Sequence, residues 1–327
     1  MKTLWQTVVA IAGGALILCL AVARPLFFSP MRSQEEHQVD PAALKAHVEA
    51  LSQRFVPRDD EHPEILHKAA AYIAEKFRSA GAKVNDQEFK VYGNSYKNVI
   101  AEFGPDGSDT IVVGAHYDTA GDQPGADDNA SGVAGVIELG RLLVGVPLRS
   151  KVILAAYALE EPPHFRTENM GSAVHARSLR ARGLSVTLMI SLEMIGYFSE
   201  EPNSQGFPMP LLRLFYPSRG NFILVVDRLF SNRARELKQA MSAASDLPVY
   251  SLNAPAIVPG VDFSDHLNFW EQGYPAVMVT DTSFYRNPAY HSRLDIADRL
   301  DYVKMAQVVR GVFHYLMKNA AAQNDRN

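Results

Sequence analysis

Thiol chemistry is almost absent from this chain. Its single cysteine, Cys19, lies inside an apolar run near the amino end, so the residues beyond it have no disulfide, no thiolate metal ligand and no cysteine nucleophile. Stability there must come from an apolar core and from bound ions. A sustained basic block is also missing. Lys and Arg number 32 against 36 Asp and Glu, a formal net charge of -4, which argues against nucleic acid as a partner. The arginines of residues 177–183, RSLRARG, stand at helical spacing and read as a solvated helix face. No internal repeat or low-complexity tract interrupts the chain. Its 327 residues, 47% hydrophobic, suffice for one full core in a domain of about 250 to 300 residues.

The first 30 residues stand apart from this domain, which is expected over 31–327. MKTLWQTVVAIAGGALILCLAVARP has one lysine, then about 20 uncharged residues, then Arg24 and Pro25. This suits either a membrane-spanning anchor over residues 4–23 or a secretory signal peptide, and both export the remainder. The Ala21-Val22-Ala23 triplet resembles a small-residue cleavage site, whereas the length of the run favours an uncleaved anchor with its short amino end inside. Leu18 precedes Cys19 where a lipidation box has a small residue. The expectation is an inner-membrane anchor with a periplasmic or extracellular domain, or a secreted protein if the leader is removed.

Beyond the leader the pattern alternates between helix and strand. Asp40-Pro41 reads as an N-cap followed by proline, opening a helix over 40–55, and a second amphipathic helix over 62–81 stops at Gly81. Strands are expected near 82–92 and 95–103, then as buried runs in TIVVGAHYDT, KVILAAYALEEP and VTLMISLEMIGY. Helices follow over 129–143 and 169–183, further buried strands at FILVV and PAVMVT, and a closing helix over 300–319. Residues 199–221, rich in Pro, Gly and Ser, read as a long connection beside the site and a candidate lid. The fold class expected is α/β, with a mixed, mostly parallel central β-sheet flanked by helices.

The three long apolar strands end in residues that bind or use metal. His116 and Asp118 close the first, Glu160 and Glu161 the second and Glu193 the third, while Asp128 falls between and His291 follows. Open α/β sheets hold ligands beyond the carboxyl ends of their strands, so these groups converge where a metal centre would form. In order along the chain stand GAHYD, GADDNASG, LEEP, SLEMIGY and NPAYHSRLD. By these motifs, residues 92–303 resemble the co-catalytic zinc aminopeptidases related to secreted bacterial leucyl aminopeptidase, glutamate carboxypeptidase and glutaminyl cyclase. A lone HxD or EE occurs by chance in many proteins; the ordered set is far more specific.

The resemblance implies a fold of zinc-peptidase type and a zinc-dependent exopeptidase, most simply an aminopeptidase acting on a peptide or other amino-terminal amide. Carried over residue by residue, it implies that His116 and Glu193 bind one Zn²⁺, that Glu161 and His291 bind a second, and that Asp128 bridges both, with a cis peptide between Asp128 and Asn129. Asp127 and Asn129 are then not ligands. The three carboxylates and a bridging hydroxide balance two dications, and a sulfur-free donor set also accepts Co²⁺ or Mn²⁺. Asp118 would accept a hydrogen bond from the second nitrogen of His116, with which it shares a strand face. Glu160 would be the general base. Tyr290 either donates to the oxyanion or only packs. Glu193 departs from the aspartate of many members, so its extra methylene must be absorbed by a retracted backbone or a different binding mode. Asp265 and His266 are assigned to shaping the pocket. Two rival readings are a single-zinc acyltransferase of the glutaminyl cyclase kind and a non-catalytic binding relative; the intact ligand set argues against both.

Overall fold

Runs such as IVVGA and VILAA are apolar on both parities, which suits a parallel sheet covered by helices on each face. The computed structural model describes residues 5–7, 13–14, 22–23, 30, 38–107 and 109–322 and places these runs at the centre of an eight-stranded sheet. Its strands are β1 (Lys83–Val91), β2 (Asn94–Phe103), β3 (Thr110–His116), β4 (Lys151–Tyr157), β5 (Val186–Glu193), β6 (Ile223–Asp227), β7 (Val249–Asn253) and β8 (Ala276–Thr280). Across the sheet they lie in the order β1-β2-β4-β3-β5-β8-β6-β7. The adjacent strands β4, β3, β5 and β8 are parallel to one another, and β6 is parallel to β7. Antiparallel pairing joins β1 to β2, β2 to β4 and β6 to β8. The sheet is mixed and mostly parallel, as expected.

Successive residues of a strand face opposite sides, and the core divides accordingly. Ile111, Val113, Leu154, Ile190 and Leu192 pack on one face against helices α1 (Pro41–Glu49), α2 (Pro63–Ser79), α3 (Gly132–Leu142), α5 (Arg233–Ala244) and α7 (Tyr302–Ala320). Val112, Ile153, Tyr157, Met189 and Met278 pack on the other against α4 (Gly171–Ala181), α6 (His266–Glu271) and the segment around Leu212 and Tyr216. α3 connects β3 to β4 on the first face, and α4 connects β4 to β5 on the second. The chain therefore steps to opposite sides of β3, and this topological switch opens a crevice beyond its carboxyl end.

Local signals behave as read at α1, where the Asp40 side chain accepts the Ala42 N–H at 2.9 Å and Pro41 occupies the first turn. Arg177, Arg180 and Arg182 are exposed on and just past α4. Three departures are instructive. The helix expected from residue 129 begins at Gly132, because Ala126–Ser131 forms a wide π turn in which Asp128 and Asn129 have non-helical backbone angles. The elements α5, β7 and α6 were not anticipated. The long connection over residues 199–221 is closed by a hydrogen bond from Ser199 N to Gly220 O and contains a short 3-10 turn, Pro210–Leu214, whose Leu212 is buried. The leader expected over 4–23 falls mostly outside the described residues. Among those described, no helix is long and apolar enough to cross a membrane.

His175 on α4 is buried with its Nδ1 3.0 Å from the Tyr157 hydroxyl, and burial, with Arg182 adding, pushes its pKa down to about 3. A depressed histidine contributes stability that is present above the unfolded value near 6.5 and is lost as pH falls toward the folded value. Between pH 6.5 and 3, unfolding free energy of the native chain is expected to fall faster than that of His175→Asn, by up to about 1.4 kcal/mol per pH unit. Denaturant titrations of both proteins across this range check it; equal slopes would contradict the assignment.

Candidate metal centre

The site is assembled by strand parity. Val112, Gly114 and His116 lie on one face of β3, and Met189, Ser191 and Glu193 lie on the same face of β5, so His116 and Glu193 reach the crevice side by side. Gly114 has no room for a side chain, since a Cβ there would stand 2.4 Å from the Tyr157 ring. β4 ends at Tyr157, and the chain turns through Leu159, whose φ is 62°, to present Glu160 and Glu161. The π turn supplies Asp128 from the opposite side of the crevice. His291 arrives from the loop after β8 with φ 50°, its side chain 31% exposed and the most open of the set.

The two oxygens of Asp128 face different partners. Oδ1 lies 3.4 Å from His116 Nε2, which is itself 3.4 Å from Glu193 Oε2. Oδ2 lies 3.2 Å from His291 Nε2, which is 3.3 Å from Glu161 Oε2. These separations exceed a charge-assisted hydrogen bond of about 2.8 Å. They match the edge of about 3.3 Å that a tetrahedral centre with bonds of about 2.0 to 2.1 Å would have. Among the described residues, Glu161 Oε1 and His116 Nδ1 are buried without a hydrogen-bond partner. Imidazole and carboxylate donors without sulfur suit Zn²⁺, so the residues present fit a metal centre.

The structure brings together all of the predicted site residues. Asp118 Oδ2 accepts the Glu161 N–H at 3.0 Å, while Oδ1 stands 3.5 Å from His116 Nδ1, aligned with it but beyond a closed hydrogen bond. The Asp128-Asn129 peptide is cis. Asp127 points away from the cluster, accepting from Gly196 N and Asn287 Nδ2, and Asn129 donates to Leu192 O. Glu160 and Tyr290 both line the cavity beside the cluster, with the Tyr290 ring stacked 3.8 Å above that of His291. Asp265 is fully buried beside Ser172, which opposes the rise that burial imposes on its carboxyl.

Sequence reasoning missed the residues that hold this set in place. The Asp295 carboxylate accepts the backbone N–H groups of Asp127 and Asp128 at 3.0 to 3.1 Å. Arg58, fully buried, donates to the carbonyls of Tyr117, Leu51, Pro124 and Gly125 and so ties the end of β3 to the turn that carries Asp128. The Ser264 hydroxyl bonds Glu193 Oε2 at 2.8 Å and lies 2.8 Å from Ser191 Oγ. Asp295 closes the NPAYHSRLD motif and Ser264 directly precedes the Asp265-His266 pair, whereas nothing in the pattern points to Arg58.

Without cations the cluster is electrostatically frustrated. Burial, then Asp128, raises the Glu161 carboxyl to about 7, and burial raises Glu160 well above the ordinary range, with His116 opposing and Glu161 and Glu193 adding to the rise. Burial opposes protonation of His291, yet its contacts with Asp128 and Glu161 raise it to about 10. The imidazolium of this state does the work that a metal cation would do. Beside the cluster a cavity of about 250 Å³ is lined by Leu212, Phe222, Leu224, Val226, Leu252 and Met278, with Glu160, Glu161 and Glu193 at its polar end.

The profile of peptidase family M28 matches residues 98–316. This chain belongs to peptidase family M28. The M28 chain is 48% identical over 304 residues to the uncharacterized protein YfbL of Escherichia coli K12, a match covering 89% of this chain and 93% of that protein. It is 25% identical over 284 residues to a probable leucine aminopeptidase of Arthroderma otae, covering 79% of this chain and 67% of the relative. Its fold is that of BSAP, a zinc aminopeptidase from Bacillus subtilis, with a TM-score of 0.72 at 15% identity over 90% of this chain and 98% of that one. This M28 protein is a hydrolase of the peptidase type.

Gly125 generates a test of how tightly the M28 site is built. It has φ 55°, and a Cβ there would lie 2.3 Å from Asp128 O and 2.4 Å from a Thr119 methyl. Gly125→Ala is expected to cost about 1 to 3 kcal/mol in stability and to displace the Asp128 turn, lowering metal affinity as well. Thermal melts with and without added Zn²⁺ check this. A variant with native metal affinity would show that the turn is not held by this contact.

Proposed function

We propose that the chain is a zinc-dependent aminopeptidase that removes the first residue of a peptide. The observation that carries this reading is the pair of imidazole–carboxylate sets that share Asp128, one on each carboxylate oxygen. In this reading His116, Glu193 and Asp128 would hold one Zn²⁺, and His291, Glu161 and Asp128 would hold the other. When bound, zinc would supply Lewis acidity, making water acidic enough to attack near neutral pH and polarising the scissile carbonyl.

The remaining work falls to the chain's own groups. Glu160 lines the cavity next to Glu161 and takes the proton of the attacking water, then passes it to the leaving amine. Burial raises this carboxyl well above the ordinary carboxylate range, which makes its ionised form a stronger base. Tyr290 is kept protonated by burial and by the carboxylates around it, so its phenol remains a donor to the carbonyl oxygen as that atom gains charge. The acidic end of the cavity receives the cationic amino terminus, and its apolar depth receives a large apolar side chain. The names of its relatives among leucine and zinc aminopeptidases support the same activity. A single-zinc cyclase would need only one of the two sets, and a non-catalytic scaffold neither.

Exhaustive chelation is expected to abolish hydrolysis of aminoacyl amides and to lower the melting temperature, and Zn²⁺ or Co²⁺ to restore both. Full activity in demonstrably metal-free protein would refute the proposal. The adjacent glutamates should separate. Glu160→Gln is expected to retain zinc and a near-native KM while kcat falls by about 10² to 10⁴, roughly 3 to 5 kcal/mol of barrier. Glu161→Gln should instead lose zinc and recover part of its turnover at high metal concentration. Zinc content and kinetics of both variants decide; the reverse pattern would exchange their roles.

A further inference from the structure

The wall of the cavity carries an outer surface that its role in the site does not explain. In the 3-10 turn Pro210–Leu214 only Leu212 is turned inward, at 4% exposure, where it lines the cavity. Met209, Leu211 and Leu214 stand 43%, 47% and 73% exposed around it. From residue 202 to 226 the chain has Arg213 and Arg219 but no acidic side chain. A short turn with large apolar side chains outward and Arg213 within it has the composition of a segment that lies in a lipid interface, while Arg219 lies within electrostatic reach of the exposed Glu200 carboxylate.

A second observation says what covers it. The uncharged run that ends at Ala23 is long enough to enter a bilayer. Ala23 itself is held at the β7 edge of the sheet, where its carbonyl accepts from Ser251 Oγ at 3.0 Å and Lys238 Nζ at 3.1 Å. The backbone carbonyl of the same Ser251 accepts the Tyr216 hydroxyl at 2.7 Å, two residues past the apolar turn. Val22 and Ala23 pack against the same apolar cluster as Phe207 and Phe215. The end of the apolar run and the exposed turn therefore share one edge of the molecule.

We infer that the Met209–Leu214 surface seats in the interfacial layer of an anionic phospholipid bilayer, with Arg213 among the headgroups. Arg213 adds electrostatic attraction to the burial of three apolar side chains, and together with the amino-terminal run this surface gives the two attachments that stable interfacial binding needs. The entrance to the cavity, whose wall is the inner side of the same turn, is then held beside the lipid surface.

The test uses the full chain in the thiol-free Cys19→Ser background, with one environment-sensitive fluorophore placed at Leu214→Cys or, as a control, at Tyr92→Cys. Tyr92 is 90% exposed in the turn between β1 and β2, at the opposite edge of the sheet. In phosphatidylglycerol-containing vesicles the Leu214 probe should shift to shorter wavelength and be quenched by brominated acyl chains, and less so in purely zwitterionic vesicles. The Tyr92 probe should remain in water in both. Adding Leu211→Glu should abolish the quenching at position 214 while leaving turnover of a small soluble amide unchanged, since Leu211 does not line the cavity. A Leu214 probe as hydrated as the Tyr92 probe overturns the inference. A shift that follows protein concentration instead of lipid also overturns it, because a second copy of the chain would then be the occupant.

Discussion

Burying negative charge is the constraint around which this molecule is arranged. Asp128, Glu160, Glu161, Glu193 and Asp265 all lie buried beyond one end of the central strands. Removing a carboxylate from water costs several kcal/mol even after relaxation, and neighbours of the same sign add to that cost. Their upward-shifted pKa values and the strongly raised His116 and His291 are two sides of this imbalance. Asp128 escapes the rise because it faces an imidazole on each oxygen. Divalent cations bound in the two proposed sets would resolve the conflict, since they would remain charged where a carboxylic acid or an imidazolium would have to gain or lose a proton.

Such a centre works only if its donors cannot relax toward one another. The parallel strands β3 and β5 fix His116 and Glu193 in register, and Arg58 and Asp295 clamp the leading half of the turn that carries Asp128 through the Gly125 carbonyl and the Asp127 and Asp128 N–H groups. Asp118 joins the two halves, accepting from the Glu161 backbone while facing His116. These contacts act on the donor side chains and on the backbone that carries them. Their effect is to hold the donors at separations suited to metal, with little reorganisation left for the moment of binding.

Much of this was legible in the sequence because the central strands are buried on both faces. Their apolar runs end abruptly, so His116, Glu160, Glu161 and Glu193 stand out at the boundaries. β7 was not visible, since VYSLN is short and carries Ser251 and Asn253 inside it. α5 contacts the core largely through alanines, whose small side chains leave a weak periodic signal. The turn at Asp128 was mistaken for the beginning of a helix because a run of small residues follows it, whereas the backbone there is governed by the carboxylate of Asp295, 167 residues away. Arg58 was likewise invisible: its partners are backbone carbonyls, which no side-chain pattern reports. Ser264 could be found only once Glu193 was known to be within hydrogen-bond reach.

Two metal ions sharing Asp128 is the central claim, and crystallographic anomalous scattering at the zinc edge from the zinc-loaded protein tests it most directly. The account predicts two peaks, one between Asp128 Oδ1, His116 and Glu193 and one between Asp128 Oδ2, His291 and Glu161. A single fully occupied peak at saturating zinc, or ions bound with Asp128 outside their coordination, would contradict it.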